Sequence, residues 1–206
     1  MMSDVNGTAM SSEECRFFLS QYSFGSLISH DLQISHIPFI FSGDNLIETH
    51  LASGNPQLKS LDEQTCLLTV LGPHAFISTE YYQASPAVPT WNYASVSIRG
   101  KSRYLTPGEL EQSLDRMLAH FQPELLHNKQ SLPDDFRQKL IPGITGIGIE
   151  ITEMKGKLKL GQHRSPADQL SVFRKLEQND HPGYVHFSQE WLSRFRPSIL
   201  GKNATP

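Results

Sequence analysis

Through the first half of the chain apolar and polar positions alternate in short runs, and the period lengthens to that of a helix only after Leu105. "FGSLISH" and "QISHIPFIF" read as strands joined by a tight connection at Asp31-Leu32, and "LIETHLA" follows the turn residues Ser42-Gly43-Asp44-Asn45. Spacing this short predicts antiparallel succession. "TCLLTVL", "HAFIS" and "NYASVSIRGKSRYL" continue the series to about Leu105. Before it, Ser12 to Gln21 reads as a short helix with Phe17 and Phe18, preceded by small polar residues expected to fray.

The strongest helix signal starts at Thr106. Thr106 is a cap, Pro107 suits the first helical position, and Glu109 closes a capping box; Leu110, Leu114, Met117, Leu118 and Phe121 then share one face, which must be buried. A second helical piece spans about Asp134 to Ile141. Alternation returns in "ITGIGIEITEM", with "KGKLKLGQ" predicted to run back as its hairpin partner across Met154–Gly156. A capped helix opens at Ser165-Pro166 and reaches about Gln178, and "SQEWLSRFR" carries a last helical stripe of Trp191, Leu192 and Phe195. Roughly six to eight closely spaced strands with late helices predict a small antiparallel barrel decorated by helices, mainly β. The whole chain, 1–206, is expected to be one domain, with an inserted helical segment at about 106–141 and C-terminal helices.

Composition narrows the functional classes. The 206 residues carry 18 Lys+Arg against 21 Asp+Glu, a formal charge of -3, so the long-range attraction that draws proteins to polyphosphate backbones is missing and direct DNA binding is disfavoured. The two cysteines, Cys15 and Cys66, have no paired-ligand spacing, which argues against a disulfide framework or a zinc site. No basic-then-apolar leader opens the chain and no run of about 18 apolar residues occurs, so a cytoplasmic protein without a membrane span is expected.

Gly-rich dinucleotide loops, P-loops, His-Glu-x-x-His and Gly-x-Ser-x-Gly are all absent. His36, His50, His74 and His163 lie on different elements without ligand spacing, and no metal site is expected. Three clusters remain. At Ser53-Gly54-Asn55 a strand gives way to a helix start, and free backbone N–H groups, the Ser53 hydroxyl and Lys59 suit a phosphate; ordinary capping by Asn55 with a solvated Lys59 explains the same residues. Thr90, Trp91, Asn92 and Tyr93 after Pro89 offer either a stacking surface with amide hydrogen bonds or a core plug. In "GKLKLGQHRS", Lys157, Lys159 and Gly161 share a strand face that ends in Gln162, His163 and Arg164, a face that is either solvated or meets an anion.

In this order "ISHIPFIF", "THLASGNPQ", "GPHAFIS", "VPTWNYASVSIRG" and "GKLKLGQHR" resemble the PaiB-type FMN-binding negative transcriptional regulators. The resemblance covers most of the chain, and "VPTWNY" with "GPHAFIS" is its most specific part. It implies a six-stranded antiparallel split β-barrel whose homodimer holds FMN between subunits. It further implies that Ser53, Asn55 and Lys59 receive the phosphate, that His36, Thr49 and His50 form walls, that Thr90, Trp91 and Asn92 border the isoalloxazine, and that Lys159, Gln162 and Arg164 reach the cofactor from the partner subunit. Ser53 stands where the family usually has arginine, and Gly161 where it usually has serine. Three functions are consistent with this reading: an FMN-binding homodimeric regulator, an FMN-dependent oxidoreductase with His74 or Tyr93 orienting substrate or exchanging a proton, and a barrel that has lost the cofactor. No catalytic residue is fixed by the sequence.

Overall fold

The computed structural model describes residues 8–178, and the chain divides into two compact units. The first comprises residues 19–70 and 97–154; the second comprises the described parts of 1–18, 71–96 and 155–206. "SQEWLSRFR" lies outside the described residues. The strands are β1 (Ala9–Met10), β2 (Phe24–Ile28), β3 (Ile34–Pro38), β4 (Ile40–Ser42), β5 (Leu46–Ala52), β6 (Gln64–Ile77), β7 (Thr90–Tyr104) and β8 (Ile144–Lys159). The helices are α1 (Ser12–Gln21), α2 (Pro107–Phe121), α3 (Asp134–Leu140) and α4 (Pro166–Gln178).

Seven strands lie in the order β3-β2-β6-β7-β8-β5-β4, and β1 pairs with β8. The first unit contains all or part of each of the seven, and its outermost strands, β3 and β4, are separated in the chain by Phe39 alone. In a flat sheet six intervals of about 4.8 Å would set those strands roughly 29 Å apart. Two residues of chain span about 7 Å. The sheet of this unit therefore has to curl until its edges meet at Phe39. That residue is fully buried, its N–H donates to Ser23 O (2.9 Å), and Thr49 Oγ1 donates to the neighbouring Pro38 O (2.7 Å). Leu27, Ile37, Ile47, Leu68, Ile98, Ile147 and Ile149 fill the inside.

The strand count differs from six for identifiable reasons. Pro38 has no N–H and the Phe39 N–H turns to Ser23, so "QISHIPFIF" forms two strands rather than one. "TCLLTVL" and "HAFIS" instead fuse into β6, where Gly72 and Pro73 are both buried and the alternation slips by one position, as in a bulge. The hairpin expected at Met154–Gly156 does not form, because β8 continues unbroken to Lys159. Gly156 is a close-approach residue there: it pairs with Met10 of β1, and a Cβ on it would collide with Cys15 Sγ. The residues just before α1 are thus partly ordered by β1 rather than frayed.

The helices expected within the described residues form, but the α2 face is buried only in part: Leu114 and Leu118 are half-buried and Phe121 is exposed at its end. Thr106 and Glu109 form the capping box, and Leu110, Ser113 and Met117 are buried. Arg103 grips the Glu109 carboxylate, and this contact together with the Thr106 groups holds the carboxyl well below its usual range, at about 2. Cys15 and Cys66 are free and almost wholly buried, and burial pushes both thiols up to about 11. Native protein is accordingly expected to react slowly with a thiol reagent at pH 8 and rapidly once unfolded; burst labelling of either cysteine in the native state contradicts this.

Candidate functional site

In the first unit, β5 ends at Ala52 and the chain turns through Ser53, Gly54 and Asn55 into the 3-10 turn Pro56–Ser60. Asn55 caps it in extended backbone geometry: its Oδ1 accepts from Gln57 N (2.9 Å) and its Nδ2 donates to Ser35 Oγ (3.0 Å). Ser53 N donates to Gly143 O (2.9 Å) and its Oγ to Pro142 O (3.2 Å). Asn55 and Ser53 thus shape the turn, while Gly54 and Lys59 are exposed on it. Gln57 is buried below, its Nε2 donating to Leu27 O and Gln33 O. His36, exposed on β3, has Nδ1 3.0 Å from Ser26 Oγ on β2, with exposed Phe24 and Ile34 on the same two strands.

Thr49 and His50 point to opposite faces of β5, as neighbours in a strand must. Thr49 is fully buried and bonded to Pro38 O, whereas His50 lines a cavity beneath α2 and α3. The structure does not bring these two side chains together.

In the second unit, Trp91 is half exposed on β7, its ring centroid 5.9 Å from His74 and 6.0 Å from Phe76, both on β6. Asn92, on the opposite face, is buried. Trp91 and Asn92 therefore cannot border one ring from the same surface, contrary to the grouping that the resemblance implies. Lys159 at the end of β8 donates to Thr90 Oγ1 (2.6 Å), so these two are brought together. Lys157 lies over the Tyr93 ring at 5.8 Å. Gln162 folds back on its own strand end, accepting from Leu160 N and donating to Leu158 O. Gly161 has φ +80°, a left-handed conformation that favours glycine at this turn. The Arg164 guanidinium sits 4.4 Å over the Tyr82 ring, and its Nε is buried without a hydrogen-bond partner among the described residues.

Tyr82 and Phe76 are the contacts that sequence reasoning missed. Phe76 was legible as the residue two along from His74 on the same strand face; nothing in the spacing ties Tyr82 to Arg164. Among the described residues no group of three His, Cys, Asp or Glu is placed to hold a metal, and no helix is long and apolar enough to cross a membrane.

A mainly antiparallel sheet, curled in one unit and flanked by helices, defines the split-barrel class. The chain belongs to the family described as "Putative FMN-binding domain", whose model matches residues 6–153. FMN is the cofactor of that family. A Bacillus subtilis relative, protease synthase and sporulation protein PAI 2, is 30% identical over 198 residues, covering 91% of this chain and 94% of its own. An uncharacterized protein of Emericella nidulans is 26% identical over 190 residues, covering 71% and 75%. Among solved structures the FAD and heme binding protein from Mycobacterium smegmatis superposes with a TM-score of 0.59 at 18% identity, covering 73% of this chain and 72% of that one. The flavocytochrome Anf3 from Azotobacter vinelandii gives 0.55 at 17%, covering 75% and 70%. Lys159, Gln162 and Arg164 lie beyond the stretch that the family model matches.

Proposed function

We propose that the protein is a cytoplasmic, homodimeric FMN-binding regulator of the negative transcriptional type. The observation that carries the reading is the match of residues 6–153 to the FMN-binding family. Arg164, half-buried over the Tyr82 ring with Asp168 near it, adds a cation at the end of β8 that can face an anion. In the first unit the exposed turn at Ser53, Gly54 and Asn55 with Lys59 is a candidate phosphate contact; taken separately, Thr90, Trp91 and Lys159 in the second unit are candidate contacts for a flat ring and its polar edge. Thr49 and Gln162 have their polar groups turned to the backbone, at Pro38 and at the end of β8, and His36 stays a wall residue. Bound FMN supplies hydride and electron chemistry; the chain's residues hold and orient it.

Exposed Phe24 and Ile34 in the first unit, and Leu71, Phe76 and Trp91 in the second, support burial against a second copy. The formal charge of -3 favours regulation through a partner protein over direct DNA contact.

One observation favours an oxidoreductase as the second reading. His74 Nδ1 lies 3.2 Å from Gly72 O, and a carbonyl can only accept, so Nδ1 carries the proton and Nε2 is left as a base beside Trp91. The visible spectrum of purified chain tests the proposal: flavin bands are expected, with a dimer by sedimentation, and a colourless chain that takes up no added FMN overturns it. Bleaching of the bands by NADPH raises the second reading above the first.

A further inference from the structure

Arg164 and Asp168 flank the start of α4 in the second unit, and both contact the segment that leads into β7. Asp168 is only 3% exposed, and one oxygen, Oδ1, accepts from Gln83 N (2.8 Å) and Ala84 N (3.0 Å). A carboxylate in the first turn of a helix commonly serves that helix's own free N–H groups. Here Ser165 Oγ takes the Asp168 N–H (3.1 Å), and the carboxylate serves a different segment. The Ala84 N–H, ahead of its other contacts, holds the carboxyl below its usual range, so it is ionised at neutral pH. Tyr82, next to these donors, lies under the Arg164 guanidinium (4.4 Å). Gln169 Nε2 donates to Arg164 O (2.7 Å), and Arg164 N donates to Gly161 O (2.9 Å). Asp168, residues 82–84 and Arg164 thus close a ring of contacts. No hydrogen bond engages the guanidinium among the described residues and its Nε is buried, which leaves the terminal nitrogens for a ligand.

We propose that Asp168 is a positioning residue: by latching Gln83 and Ala84 it keeps Tyr82 under Arg164, and so presents the guanidinium, already ordered, to an anionic ligand at the end of β8. A long side chain fixed in advance loses less freedom on binding, and that saving appears as affinity. FMN as the ligand rests on the flavin reading above; the latch itself does not. Residues 160–178, beyond the stretch that the family model matches, thereby become part of the site. Residues 83–86 are exposed, so without Asp168 water satisfies the two N–H groups and the local arrangement suffers more than the fold.

Full-length protein labelled with 15N-arginine is the test, with Arg164→Ala identifying the signal. In the apoprotein the Arg164 Nε–H is expected to carry a ring-current shift that Tyr82→Leu and Asp168→Ala both remove, and that Asp168→Asn, which keeps an acceptor oxygen in place, retains. Fluorescence titration with FMN is expected to show about tenfold weaker binding for Arg164→Ala, nearly the same loss for Asp168→Ala, and no further loss when the two are combined. Asp168→Ser serves if Asp168→Ala does not fold. An Arg164 signal unmoved by Asp168→Ala, losses that add in the double variant, or Asp168→Asn as damaging as Asp168→Ala each overturns the proposal. A wild-type chain that takes up no FMN overturns the flavin reading instead, and the Arg164 signal then decides the latch by itself.

Discussion

Arg116→Ala is expected to lower the stability of the fold by about 3 kcal/mol, read as a drop in the urea midpoint with an unchanged slope. Glu48 sits on β5 with its side chain only 3% exposed, and Arg116 of α2 is its partner through Nε (3.1 Å) and Nη2 (2.7 and 2.8 Å). Removing the guanidinium leaves a buried carboxylate with no other ion-pair partner among the described residues, the costly way to break a buried pair. Because the Arg116 side chain is itself 39% exposed, water enters when it is shortened, which sets the effect at the low end of such substitutions. The double change Glu48→Met, Arg116→Met removes both charges and is expected to recover most of the loss. A single-variant effect below about 1 kcal/mol would mean the pair behaves as an ordinary surface bridge.

Trp91→Ala is expected to weaken FMN binding by about tenfold or more, the scale of one aromatic stacking contact. Its half-exposed ring touches His74 and Phe76 rather than the core, so the melting temperature is expected to move little. Asn55→Leu is expected to weaken FMN binding through the turn it caps, and with a stability cost of about 1 kcal/mol from the lost cap. Lys155→Ala is expected to leave affinity unchanged. Fluorescence titration of apoprotein with FMN measures all three. Equal weakening in the three variants would show damage to the fold in place of a binding site.

The capping box at Thr106, the connection at Asp31-Leu32 and the α4 start at Pro166 were legible because each is decided within a few residues by local backbone chemistry. Leu32 even adopts the left-handed conformation, φ 67°, which the short connection needs. What escaped the sequence was decided by distant neighbours. Gly156 looks like a turn, yet its small size serves the approach of β1; Gly72-Pro73 looks like a break, yet the strand passes through it with a slip in phase. The candidate residues show the same division. The cationic strand face at Lys157 and Lys159 was readable from alternation, whereas the meeting of Lys159 with Thr90 and the burial of His50 under α2 depend on where segments some sixty residues away come to rest. Period-two alternation by itself separates Trp91 from Asn92 and Thr49 from His50, a constraint that grouping by motif overlooks.

The single-residue step at Phe39 has an evolutionary corollary. Lengthening the chain there would let the two rims of the curled sheet spring apart and bare both to other molecules, so this position should tolerate no insertion. Added residues belong instead at the exposed Gly43–Asn45 bend or between α2 and α3, where extra length displaces nothing. Relatives of different length are thus expected to keep this clasp and to vary at those two places.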